Sequence, residues 1–460
     1  MSLSRKQRMA AMLALSFGAI GTASADNDAF HYSNASLPSQ SSWMFTVDDN
    51  TPLNHLSIPG TYASAVRTHD LRHQAQTLTL SQQLAAGVRF LDLAIREQGG
   101  KVVVAHKGRA QMLLADAYLE VATFLHQNRS ETVFIWLHQD DDFNTNGRDL
   151  PRLANGFVQQ FAPFSVNKKV DPGEPLRNMR GRIVWLREPG VLLPGIDFGV
   201  FARQNQVHLG GHDDLYSKWS AVKAHIAARI NPMQSWPSFN NLAGGGAVDT
   251  FFVASGRNNP GDTTRRETGH KRPGSGGVFA DFPCGAPRFG GGCTIEYEGT
   301  NTLTRNRMKD SDLPYVGFVA AAFPGPGLIA RTIDVNRTNK RMVNATHGQC
   351  LDIEGGPLNG RRALAWTCHG GYNQRVTVRG NEIRINHRCL DVEAGNVNGK
   401  VLLWDCHGGQ NQKWTIDGGG RIRSHLHGGA YCLTQTGRNA PLRMSSCSGT
   451  TGDQRFIAYY

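Results

Sequence analysis

Three stretches near the C-terminal end of the chain repeat one another: GQCLDIEGGPLNGRRALAWTCHGGYNQRVTV, HRCLDVEAGNVNGKVLLWDCHGGQNQKWTI and AYCLTQTGRNAPLRMSSCSGTTGDQRFIA. Each opens on Cys-Leu, reaches a second Cys about fifteen to eighteen residues later, and closes on a polar pair ending in Gln. The period is about 40 residues, and internal repetition of this kind constrains a fold more than any local pattern does. Short apolar runs alternate with Gly and Asn turns, so each unit reads as several short strands. Three such units close into a small all-β barrel with pseudo-threefold symmetry, which leaves no exposed sheet edge.

The repeats resemble the ricin-type β-trefoil lectin family, with its Cys-Leu-Asp openings and Gln-x-Trp closings, over roughly residues 340–460. The resemblance implies one disulfide inside each repeat: Cys350–Cys368, Cys389–Cys406 and Cys432–Cys447. It also implies a glycan partner. A galactose-type ring offers vicinal hydroxyls and an apolar face. A carboxylate accepts hydroxyl hydrogen bonds, an Asn amide adds another, and an aromatic ring stacks on the C–H face. The first repeat has Asp352, Trp366, Asn373 and Gln374; the second has Asp391, Trp404, Asn411 and Gln412. The third has Thr434 and Ser445 in place of the Asp and Trp, and is expected to be structural. The polar residue that the family often places two before the Trp is Leu364 or Leu402 here. The competing reading makes the Asp and Gln residues turn braces and packs the tryptophans in the core. Gln374, Gln412 and Gln454 fit a bracing role under either reading.

About 300 residues precede the repeats. VRFLDLAI, KVVVAH, TVFIWLHQD, RIVWLRE and GVFADFP read as short buried strands, and DAYLEVATFLHQN and SKWSAVKAHIAARI as amphipathic helices. Alternation over this length predicts a parallel α/β architecture, most economically a TIM-like barrel with its site at the C-terminal ends of the strands. GRNNPGDTTRRETGHKRPGSGG, within Gly244–Gly292, reads as a long basic loop.

The ordered set SWMFTVDDNTPLNHLSIPGT, LSQQLAAGVRFLDL, VVVAHKG, YLEVATFLHQNRSETVFIWLHQ, NMRGRIVWLRE and GVFADFP resembles the phosphatidylinositol-specific phospholipase C family, bacterial type, across most of residues 40–335. That family uses an inositol hydroxyl as internal nucleophile, with a base, an acid and a cation at the phosphate. The resemblance implies a His-Asp pair after IPGT, an Arg two residues after the strand Asp, and a second His before the next Gly. Here those positions hold Tyr62, Ala63, Ala94 and Lys107, while the strand Asp remains as Asp92. His106 stands one step before Lys107 and becomes the acid if the register slips by one. Tyr and Lys titrate near about 10 in reference peptides, so neither is a ready base at neutral pH. Lys107 can hold a phosphate as a point charge, and Arg96, on the strand face of Ala94, is a candidate replacement for the missing Arg.

Catalysis is therefore expected to be lost or altered in a glycan-binding protein. The alternative is an active, lectin-targeted phosphoric diester hydrolase or lyase acting on phosphatidylinositol or glycosyl-phosphatidylinositol-type head groups. Arg5, Lys6 and Arg8, the apolar run MAAMLALSFGAIG and Ala23-Ser24-Ala25 predict a cleaved leader and export, extracellular or periplasmic. The expected divisions are residues 1–25, 26–338 and 339–460. The net charge of +12 favours an anionic membrane surface, while export and the lack of a basic-aromatic motif argue against nucleic acid. The eight cysteines include no CxxC pair, so no zinc site is expected; Cys284 and Cys293 are candidates to clip a loop. No cofactor is expected, although QDDDF at Gln139–Phe143 makes calcium a candidate, with a solvated loop as the alternative.

Overall fold

The computed structural model describes residues 28–459 apart from 69, 71–72, 141–155, 157–161, 189–192, 229–236, 263–266, 274–280, 283, 288–291, 311–312, 314, 338–339, 387 and 449–451. The expected leader lies outside that set. No helix among the described residues is long and apolar enough to cross a membrane.

The N-terminal unit is an open parallel barrel. Its strands are β1 (Ile58–Thr61), β2 (Phe90–Gln98), β5 (Thr132–Gln139), β6 (Arg182–Arg187), β7 (Ile196–Asp197), β8 (Ala202–Gln204), β10 (Ser238–Asn241) and β15 (Phe318–Ala321). They pair in the order β7-β6-β5-β2-β1-β15-β10-β8, all parallel, with no pairing between β7 and β8 among the described residues. A single 3₁₀ turn, Phe198–Val200, joins those two edges. It drives Phe198 into the barrel interior, 4.6 Å from the Trp136 ring and 5.1 Å from that of Phe239. Phe90, Phe134 and Phe318 complete this aromatic plug. Gly60 is required where β1 crosses it, because a Cβ there would stand 2.6 Å from the Phe90 ring.

Helix α1 (Leu80–Ala86) begins on a Thr79–Gln82 capping box and stops at Gly87, whose φ is +113°. Helix α2 (Leu114–Gln127) buries one face, including Ala117, Val121 and Leu125. At the base of the barrel Arg89 and Glu131 form an ion pair at 2.8 Å, both side chains fully buried. Arg89 also donates to the carbonyls of Leu84, Val88 and Ser41, so the cation is satisfied although no water reaches it.

Three expectations change. KVVVAH is a strand, β3 (Lys101–His106), but it runs antiparallel to β2 and pairs with β4 (Arg109–Leu113) as a hairpin leaving the barrel. The supposed loop over Gly244–Gly292 contains β11 (Gly245–Gly246), which pairs with β9 (His208–Leu209), and a short helix, Thr250–Ser255. It continues into an antiparallel sheet of β12 (Glu267–Pro273), β13 (Cys284–Pro287) and β14 (Gly292–Glu296). Backbone pairing, which composition does not register, holds these polar strands together. Of the run 277–283 read as a strand, the described residues Asp281 and Phe282 lie in a turn and bend. The Cys284 and Cys293 side chains lie outside the described set.

The helix Pro326–Arg337 is followed by β16 (Arg341–Asn344), the first of twelve short strands. These form three four-stranded antiparallel sheets, one per repeat, and β16 pairs with the final strand β27 (Phe456–Tyr459) to close the unit. The Leu of each Cys-Leu opening, Leu351, Leu390 and Leu433, is fully buried in one shared core. Disulfides Cys350–Cys368, Cys389–Cys406 and Cys432–Cys447 tie each repeat.

Candidate functional site

The C-terminal ends of the barrel strands open on a cleft of about 660 Å³. Tyr62 and Ala63 line it just beyond β1, Asp92 and Ala94 from β2, and His106 and Lys107 from the end of β3. Trp136, His138 and Asp140 enter from β5, Glu188 follows β6, and His208 faces them from β9. Alternation along β5 explains the set: Trp136 and His138 point inward and Leu137 outward.

Asp92 is buried and held from behind. Its N–H donates to Ser64 Oγ at 2.8 Å and its Oδ2 accepts the Ala63 N–H at 3.1 Å. Ser64 is itself fixed by Thr61, and Gln83 donates to its carbonyl. Asp92 Oδ1 lies 2.7 Å from His138 Nε2, and His138 Nδ1 lies 3.1 Å from the Gln139 carbonyl. A carboxylate and a carbonyl oxygen thus face the two ring nitrogens, an arrangement that favours the protonated ring. It stacks on Trp136 at 4.1 Å between centroids, and Trp136 Nε1 donates to Glu188 at 2.6 Å. The indole face packs on the imidazole ring, and the Glu188 carboxylate fixes the indole.

His106 differs in charge. Burial, and next the Lys107 ammonium, push its imidazole below the usual range, while Asp92 and Asp140 pull it partly back. It is therefore neutral at pH 7. The Tyr62 ring meets it edge-on at 6.0 Å. The turn after it is anchored by Gly108 N–H donating to Asp140 Oδ2 at 2.9 Å. Ala63 and Lys107, both lining the cleft, adopt left-handed backbone, with φ of +44° and +48°. Strain of this kind in non-glycine residues gathers where geometry is held for a purpose.

In the C-terminal unit, two repeats build the same polar corner. Asp352 accepts from Asn373 at 2.8 Å and Gln374 at 2.6 Å; Asp391 accepts from Asn411 at 3.0 Å and Gln412 at 2.8 Å. Trp366 and Trp404 are 43% and 47% exposed, so neither is packed in the core. In all three repeats the Gln carbonyl accepts a backbone N–H just past the second Cys: His369, His407 and Ser448. That bracing is common to the scaffold, whereas the Asp and the exposed Trp occur in the first two repeats.

Residues 49–186 match the family described as phosphatidylinositol-specific phospholipase C, X domain, and residues 338–456 match the ricin-type beta-trefoil lectin domain. The chain joins a phospholipase C X domain to a ricin-type lectin domain. A 1-phosphatidylinositol phosphodiesterase of Listeria monocytogenes is 28% identical over 182 residues, 36% of this chain and 56% of the relative. The chain thus spans about half the length of the curated relative it matches. Among solved structures, the phosphatidylinositol-specific phospholipase C from Listeria monocytogenes aligns at 16% identity with a TM-score of 0.47, over 65% of this chain and 98% of that one. The designed threefold-symmetric protein ThreeFoil aligns at 22% identity with a TM-score of 0.24, over 27% of this chain and 99% of its own.

Of the residues singled out from the sequence, the X domain brings Tyr62, Asp92, His106 and Lys107 into one cleft. Arg96, the expected replacement cation, is not among the residues that line the cleft. By that point β2 has left the barrel to pair with β3, and Arg96 donates to Gln98 at 2.7 Å. His138 was missed. It stands opposite Ala94 in the β2–β5 register, directly beside the place where the family's Arg is expected. The signal was available in TVFIWLHQD, where His138 and Asp140 close a strand two residues apart. Asp140 is the described part of the acidic run proposed for calcium, and it is engaged with Gly108; Asp141 and Asp142 lie outside the described residues. The group of potential metal ligands found among the described residues, Glu382 with Cys389 and Cys406, uses disulfide-bonded sulfurs and does not suit a cation. In the lectin domain the HGG after the second Cys was overlooked. His369 Nε2 lies 3.1 Å from Asp352 and His407 Nε2 lies 3.3 Å from Asp391.

Proposed function

We propose that this is an exported, lectin-targeted protein whose X domain cleaves a phosphodiester head group with an altered acid–base pair. The observation that carries the reading is the pairing, in one cleft, of His106, whose pKa burial lowers, with His138, whose ring nitrogens face the Asp92 carboxylate and the Gln139 carbonyl. In this scheme His106 takes the proton from the attacking hydroxyl of the head group. That oxygen bonds to phosphorus, the bond from phosphorus to the lipid alcohol breaks, and His138 protonates the departing oxygen. A cyclic phosphodiester and a free alcohol result. Asp92 keeps His138 charged and oriented, and Lys107 faces the phosphate as a point charge. The lectin domain binds galactose-type glycans through Asp352 with Trp366 and Asp391 with Trp404.

A second reading has its own support. Tyr62, Ala63, Ala94 and Lys107 stand where the phospholipase family places its His, Asp, Arg and second His, which favours a cleft that binds a head group without turning it over. Head-group release from phospholipid vesicles, compared between the wild type and His138→Ala, separates the two readings. Release that falls with the variant supports turnover; head-group binding without release supports the second.

A further inference from the structure

The two Asp-Trp repeats carry the same segment past the second Cys, residues 368–375 and 406–413, and the structure treats the two copies differently. In the first copy the segment is docked on the X domain. A Cβ at Gly370 would stand 3.2 Å from the Asn50 carbonyl oxygen and 3.3 Å from Thr51 N. The Tyr372 ring meets the His55 ring edge-on at 5.3 Å. Arg375 is buried within the field of Asp48, which also pairs with Arg341. In the second copy nothing among the described residues stands within 4 Å of a Cβ at the equivalent Gly408, and Gln410, the counterpart of Tyr372, is exposed. Most polar bonds at the two corners have counterparts, but the Gly370 N–H donation to Gln374 Oε1 and the Arg375 donation to the Gly370 carbonyl occur in the first copy alone among the described residues.

We propose that the X domain is a working part of the first glycan site: Asn50, Thr51 and His55 hold the 370–373 turn, and with it Asn373, in the shape that receives the sugar. This rests on the glycan reading given above. The first site therefore binds with its turn braced from outside, while the second relies on its own bonds alone and loses affinity accordingly. His55 is a positioning residue, acting through Tyr372.

The test uses the full chain. Hydrogen–deuterium exchange is expected to be about tenfold slower across 368–375 than across 406–413. His55→Ala should accelerate the first segment alone, and His55→Phe, which keeps an aromatic edge against Tyr372, should restore it. Galactose is then titrated into Asp391→Ala, which leaves the first site, and Asp352→Ala, which leaves the second. His55→Ala should weaken binding severalfold in the former background and leave the latter unchanged. Equal exchange in the two segments, or galactose binding indifferent to His55 in both backgrounds, overturns the proposal alone. No galactose binding in either single-site variant overturns the glycan reading and the proposal together.

Discussion

In the proposed scheme His138, set between the Asp92 carboxylate and the Gln139 carbonyl, acts as the acid with Asp92 as its anionic partner. Asp92→Asn keeps the shape but removes that charge, and the imidazolium becomes easier to deprotonate. The alkaline limb of the pH–rate profile should then move to lower pH, with turnover at neutral pH falling about a hundredfold or more. Lys107 acts on the other histidine. Its ammonium is the second cause, after burial, of the lowered His106 pKa. Replacing it by Ala removes a repulsion against protonation, so the His106 pKa rises. Because the base must be neutral, the acidic limb should shift to higher pH. A limb that stays put would separate Lys107 from His106 and place it at the phosphate alone. These roles were only partly legible in the sequence. Family positions direct attention to Tyr62 and Lys107, but which ring nitrogens face acceptors is a property of neighbouring strands. Ala94 and His138 are 44 residues apart and meet only through the β2–β5 register.

At the scale of elements, the trefoil was the most legible part. Three copies of one pattern specify three equivalent sheets, and the Leu after each first Cys reaches the common core. The barrel strands were legible as apolar runs, but a run does not say whether it joins the barrel or folds back. That is why KVVVAH reads like a barrel strand although it pairs antiparallel with β2. The polar strands β12–β14 carry little apolar signal at all. The junction of α1 and β2 is locked by Arg89 on Glu131. Glu131→Ala would leave a fully buried guanidinium without its anion and should cost about 3–5 kcal/mol, read from urea unfolding. A loss under about 1 kcal/mol would mean that the surrounding carbonyls suffice for Arg89.

For the whole molecule, the two domains meet at the base of the barrel. The 3₁₀ turn Leu53–His55 precedes the N-terminal end of β1, whereas the cleft opens at its C-terminal end. The lectin domain therefore docks away from the cleft mouth, and under the proposed function glycan binding would raise local concentration rather than gate access. Trp366→Ala with Trp404→Ala should abolish retention on galactose-bearing surfaces and leave cleavage of detergent-dispersed lipid within about twofold of wild type. A parallel loss of both would tie the lectin to catalysis. The most direct test of the account is release of water-soluble phosphorylated head groups from mixed vesicles of phosphatidylinositol, phosphatidylethanolamine and phosphatidylcholine, by the wild type, His106→Ala and His138→Ala, each confirmed folded by its melting curve. The account predicts release by the wild type and a loss of about a hundredfold or more in either variant. Release unchanged in both variants, or none from the folded wild type, would contradict it.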